Sequence, residues 1–285
     1  MTLAGPVVAA LLFGALLHAA WNALIKSGAD KALDTALIHA LGVLLALPAV
    51  ALLGWPVAAA WPYLLASLTI HIGYYIALVG AYRHGDLGLT YPIMRGLAPL
   101  LVALASAPLI GEALSLQAWA AVVAVCAGVI AVGISPRRVG GSPAKALRYA
   151  LANAAIIAVY TVVDGLGARA SGNPMAYVAA LFLFDGIPYF LLVLWQRRAA
   201  QRETWTYLRG RWPIALLGSA ASLGSYAIAL WAMTRAPVAA VAALRETSVL
   251  FAALIGCVWL KESFGWLRAL GTLLIVIGVV SLRFA

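Results

Sequence analysis

Two arginines set 150 residues apart, Arg95 and Arg245, each lie well inside an apolar stretch, and Arg245 is followed directly by Glu246. If such a stretch crosses a bilayer, an ionisable group near its middle costs about 2.5–3.5 kcal/mol on insertion scales, so it is expected to face a cavity or a partner. Arginine presents a planar fork of donors that fits a carboxylate or phosphonate. Two forks at equal depth therefore predict a binding site for an anionic group. Glu246, one helical step from Arg245, faces a different way, and three roles stay open for it: holding a substrate amine, taking up a coupling proton, or neutralising Arg95 across a cavity. Asp164, about sixteen residues into another apolar stretch, is a second proton-carrier candidate, the plainer alternative being a carboxylate near the membrane interface. The plainer alternative is that these charges pair among themselves or with backbone carbonyls.

Polar and aromatic residues accompany them. His18 and Asn22 are four apart and share a helical face, with Trp21 beside them; His71, Tyr74 and Tyr75 form a second patch, and Tyr160 stands near Asp164. Rings and hydroxyls of this kind can wrap the apolar part of a solute or a cationic amine, although singly each is more often a packing residue. His39 and Asp185 read as structural. Glu112 and Glu262 stand beside short turns and read as structural carboxylates bonding the opening of the next helix, where negative charge is favoured. Cys126 and Cys257 lie in apolar surroundings with no CxxC or nearby His, so they read as inert packing residues. Nothing resembles GxxxxGK[ST], HExxH or GxSxG. No metal, cofactor or catalytic role is expected, and an ATP-driven pump is disfavoured.

The elements that must position these residues follow from composition. Hydrophobic residues make up 65% of the 285 positions and charged residues 10%, against about 45–50% and about 25% in soluble domains. The apolar residues recur in blocks of about twenty, the length that crosses roughly 30 Å of hydrocarbon. Ten spans are predicted, at 3–25, 34–54, 62–82, 88–110, 116–134, 148–168, 174–195, 213–234, 238–260 and 265–284. The net charge of +10 comes from Lys and Arg in the short connections, without the basic stripes of a nucleic-acid binder.

The polar stretch 136–147 reads as a linker between a first repeat, 1–135, and a second, 148–285. At an offset of 150, Arg95 matches Arg245, Glu112 matches Glu262, and Gly128 matches Gly278. Five spans per half, an odd number, make the second half enter the membrane in the opposite sense, which is the inverted-repeat plan of many secondary transporters. The odd-numbered connections hold fourteen Lys and Arg against three on the other side, which predicts odd connections in the cytoplasm and both termini outside.

The stretches Tyr91–Leu100 with Gly111–Leu114, and Ala243–Thr247 with Trp259–Ser263, resemble the repeated EamA domain of the drug/metabolite transporter superfamily. The resemblance implies an all-α membrane protein of two five-helix bundles, a central cavity lined by spans one, three, four, six, eight and nine, and alternating access without ATP. It also implies cytoplasmic termini, opposite to the charge count. The resulting expectation is a secondary transporter for a small anionic or zwitterionic metabolite, such as an amino acid, organic acid or phosphonate-like compound. Proton coupling and a bacterial inner-membrane location belong to it, and a homodimer stays open. An exporter of cationic amines or drugs is the alternative, with an intramembrane enzyme or channel more remote.

Overall fold

A computed structural model describes residues 3–84, 87–133, 143–258 and 265–285, and these are helical with no strand among them. The helices are α1 (Gly5–Ser27), α2 (Lys31–Leu53), α3 (Trp61–His84), α4 (Leu87–Ile110), α5 (Leu116–Gly133), α6 (Pro143–Ala170), α7 (Pro174–Gln196), α8 (Gln201–Met233), α9 (Val238–Arg245), α10 (Ser248–Val258) and α11 (Trp266–Phe284). With α9 and α10 taken as one span, ten are long and apolar enough to cross a membrane. The chain is thus a multi-pass integral membrane protein. In a bilayer a helix satisfies its own backbone polar groups, which is why so apolar a chain folds into helices alone.

The starts and stops have local causes. Asp30 caps α2 by accepting from the amides of Ala32 and Leu33, and Asn173 caps α7 by accepting from Met175, so the polar breaks seen in sequence are helix caps. Gly111, with φ at +75°, ends α4 in a conformation that favours glycine. Two boundaries differ from the expected spans. The sixth helix begins at Pro143, inside the stretch read as linker, whose residues 136–142 lie outside those described. The eighth begins at Gln201 and runs for 33 residues, about 50 Å at 1.5 Å per residue. Its first turns outreach the hydrocarbon.

The ninth span was expected to be one helix but is interrupted. At Glu246 and Thr247 the amides bond back three residues, to Ala243 and Leu244, at 3.1 Å each. The Thr247 hydroxyl also donates to the Leu244 carbonyl at 2.7 Å. That carbonyl is the one Ser248 would use to continue an α-helix, so a side-chain hydroxyl competes with the backbone ladder.

Helices from the two halves pair by equivalent position. The first and third helices of each half meet the third and first of the other (α1 with α8, α6 with α3); second meets second (α2 with α7), and fifth meets fifth (α5 with α11). This is the pattern expected of an inverted repeat. The α5–α11 seam is close because it is built on glycine: a Cβ on Gly128 would stand 2.7 Å from the Gly271 carbonyl oxygen, and one on Gly278 would stand 2.8 Å from that of Ala121. Small residues at such crossings let backbones approach where lipid supplies no hydrophobic drive. The termini meet at one end, where the Leu3 amide donates to the Arg283 carbonyl at 3.1 Å.

Candidate functional site

Charge from α4 and from the α9–α10 joint meets polar groups of α6 at the centre of the bundle. From α4 comes Arg95, from the joint between α9 and α10 come Arg245 and Glu246, and from α6 come Tyr160 and Thr161; with Ala98, Pro99 and Ala242 they surround a cavity of about 10 Å³, room for roughly one water. Arg95 and Glu246 form a two-pronged ion pair, Nε to Oε2 at 3.2 Å and Nη2 to Oε1 at 2.7 Å, with side chains 12% and 5% exposed. Of the three roles open to Glu246, the resting structure displays neutralisation of Arg95. Gly96, the counterpart of Glu246 in the first repeat, lies against α5, where a Cβ would be 2.6 Å from Ile130. The first half has no room there for a second carboxylate.

Arg245 is placed differently. Its guanidinium lies over the Tyr226 ring of α8, 5.3 Å from the centroid, and among the described residues it forms no salt bridge. A guanidinium on an aromatic face is worth about 0.5–2 kcal/mol, well short of a carboxylate partner. The Tyr226 hydroxyl donates to Asp164, whose other oxygen accepts from Tyr177 at 2.9 Å. Asp164 is fully buried and both its oxygens are held by phenols. Tyr226 and Tyr177 were missed in sequence because nothing in the α8 or α7 pattern marks which face meets α6.

His18 lies in α1. Its neighbours turn to it and not to the cavity: Trp21 Nε1 donates to His18 Nδ1 at 3.3 Å, and Asn22 donates to the His18 carbonyl at 2.8 Å. In α3, His71 stacks on Tyr160 with ring centroids 4.6 Å apart, and Tyr74 meets Tyr160 edge-on. These two form the shell behind the cavity wall. Tyr75 points elsewhere, donating to Asp185 at 3.0 Å. Asp185 and His39, read as structural, join His71 and Tyr75 in one polar cluster between α2, α3 and α7.

Both ends of the bundle carry ion pairs between the halves. At the end with the termini, Glu112 pairs with Arg169 at 2.5 Å and accepts from the Val238 amide at 2.8 Å. The helix opening that Glu112 bonds is that of α9 in the other half, which corrects the expectation of its own next helix. Arg169 also donates to the Met233 and Ala236 carbonyls at 2.7 and 3.1 Å, covering the end of α8. Glu262 lies outside the described residues. At the opposite end Asp34, 2% exposed, accepts from Arg211 at 3.0 Å and from Tyr207 at 3.0 Å, and Asp30 pairs with Arg197. Both sets tie the first half to the second.

Comparison with known proteins adds a family and a fold. Residues 144–284 match the EamA-like transporter family. A solved crystal structure is similar at a TM-score of 0.71 and 22% identity, covering 95% of this chain and 94% of the other. At that identity it speaks for the fold alone. No curated protein matches.

Proposed function

Since residues 144–284 belong to the EamA-like transporter family, which makes this a membrane transporter of the drug/metabolite type, we propose that it carries a small anionic or zwitterionic metabolite by alternating access, coupled to protons, in a bacterial inner membrane. The observation that carries the reading is the asymmetry of the two central arginines: Arg95 is paired with Glu246, while Arg245 lies over the face of Tyr226 and has no salt bridge among the described residues. A substrate carboxylate on Arg245 supplies the missing counter-charge. An amine on the same molecule can share Glu246 with Arg95, which favours amino-acid-like zwitterions over simple anions.

The cationic alternative fares worse on the same geometry. A cation entering without an anionic group meets two guanidiniums in a low-dielectric space. Alternating access agrees with a cavity of about 10 Å³, which no metabolite can occupy until one end opens, and with ion pairs between the halves at both ends. The test is a thermal-shift panel on the purified protein with L-glutamate, L-alanine, malate, 2-aminoethylphosphonate and tetraethylammonium, because a ligand that binds only the folded form stabilises it. Stabilisation by one of the first four, followed by uptake of that compound into proteoliposomes without ATP, is expected. Stabilisation by tetraethylammonium alone overturns the proposal.

A further inference from the structure

Asp185 stands at the middle of α7, and Gly186 beside it lies so near α2 that a Cβ there would be 2.2 Å from the His39 carbonyl oxygen. The two backbones touch, and this fixes Asp185 against His39. Imidazole nitrogens approach the carboxylate from two helices, His39 Nδ1 at 3.9 Å and His71 Nδ1 at 4.0 Å, while Tyr75 donates to it at 3.0 Å. Tyr75 is stacked on Tyr189 of α7, and His39 meets Tyr189 and Trp21 edge-on. These are the titratable and aromatic groups facing Asp185 from α1, α2, α3 and α7; from α6, Asp164 and Tyr160 lie beyond His71.

The contrast with Asp164 favours Asp185 as the carboxylate that exchanges a proton. Asp164 is fully buried with a phenol on each oxygen, so protonating it means losing a donor. Asp185 has one phenol and a side chain 16% exposed, and its other neighbours are two imidazoles, which can be donor or acceptor. His71 Nδ1 lies 2.9 Å from the Ser67 carbonyl and 3.2 Å from the Ser67 hydroxyl; in the tautomer that donates to the carbonyl, Nε2 is the nitrogen left to gain or release a proton. A positive charge gained there sits against the face of Tyr160, a wall of the substrate cavity.

We infer that the cluster of Asp185, His39 and His71 binds the coupling proton and that His71 conveys its charge to the substrate cavity through Tyr160. This rests on the proton-coupled reading above and names the carrier. A proton on His71 raises the positive potential felt by an anionic group at Arg245. By linkage, the bound anion favours the proton equally. Proton and substrate therefore load together and leave together, and the coupling needs no direct contact between them.

Two measurements test it. In the first the probe is the proton alone: the full-length protein with isotope-labelled histidine is titrated by NMR in lipid nanodiscs. The His39 and His71 curves are expected to depend on each other, as two steps that belong to the pair, and Asp185→Asn is expected to displace both. His84, stacked on Tyr149 at the far end of α3, stays in place as the internal reference. Unmoved His39 and His71 curves in Asp185→Asn overturn the site.

The second measures uptake of labelled L-glutamate, malate and 2-aminoethylphosphonate into proteoliposomes. Asp185→Asn and His71→Gln are expected to lose roughly fivefold or more of the gradient-driven uptake while keeping exchange of the same compound. Gradient-driven uptake that survives in both variants overturns the role in coupling. Wild-type uptake that ignores the pH gradient instead refutes the proton-coupled proposal itself, and the NMR result then judges the site alone.

Discussion

Replacing Arg245 by lysine keeps the charge and removes the fork. In the resting protein that guanidinium has the Tyr226 face and no salt bridge among the described residues, so the folded state loses at most the cation–π share, about 0.5–2 kcal/mol. The substrate complex loses more. A hydrogen bond to a charged group is worth about 1.5–3 kcal/mol, which is about a 10- to 150-fold weaker Kd at about 1.4 kcal/mol per decade. Arg95→Gln gives the opposite profile. It leaves Glu246, 5% exposed, without either prong of its ion pair, and breaking one side of a buried pair costs about 3–5 kcal/mol of stability. The sequence reading expects both arginines to act through the substrate; the proposal keeps that role for Arg245, while the structure pairs Arg95 with Glu246. Calorimetric titration with whichever panel compound stabilises the wild type, beside intrinsic-fluorescence melting, separates the two. Normal binding by Arg245→Lys, or a loss of stability in it as large as in Arg95→Gln, would refute the assignment and return the cationic reading.

Four further outcomes are expected. Tyr226→Phe removes one of the two phenols on Asp164 and should cost about 1.5–3 kcal/mol in the unfolding free energy; an unchanged melting curve would mean that the bond contributes nothing. Gly271→Val should abolish monodisperse protein, because a Cβ there already falls 2.6 Å from the Gly128 carbonyl, and normal gel filtration would show that α5 and α11 do not meet there. Glu112→Gln removes the charge that joins Arg169 to the start of α9 and should raise thiol-reagent labelling of a cysteine placed at Ala236 severalfold; unchanged labelling would deny it a role in closing that end. A reporter fused after Ala285 should lie on the non-cytoplasmic side, given fourteen basic residues on one side and three on the other, and a cytoplasmic reporter would reverse the orientation.

The spans were legible because hydrocarbon thickness sets their length, and their ends because Asp30, Asn173 and Gly111 mark caps and turns by residue type. Arg95, Arg245, Glu246 and Asp164 were legible by depth, since charge in an apolar block demands a reason. What could not be read was rotation. Helices apolar around most of their circumference carry no polar face to say which side turns inward, so Tyr226 and Tyr177 gave no signal, and Asp185 was set aside with His39 although the two touch the same cluster. The break after Arg245 was hidden for another cause: Thr247 is an ordinary residue in a membrane helix, and only its choice of the Leu244 carbonyl interrupts the ladder.

That interruption has a mechanical consequence. The short arm α9 is fastened at its outer tip to Glu112 through the Val238 amide, while the longer arm α10 packs on α1. The joint between them carries Arg245 and Glu246. A lever that turns about its fulcrum displaces its tips most and its pivot least, so either arm can swing while the charges at the joint stay nearly still. In the proposed cycle, opening one end of the bundle then need not drag a guanidinium or a carboxylate toward lipid, and the joint at Thr247 would spare the work of moving charge through hydrocarbon.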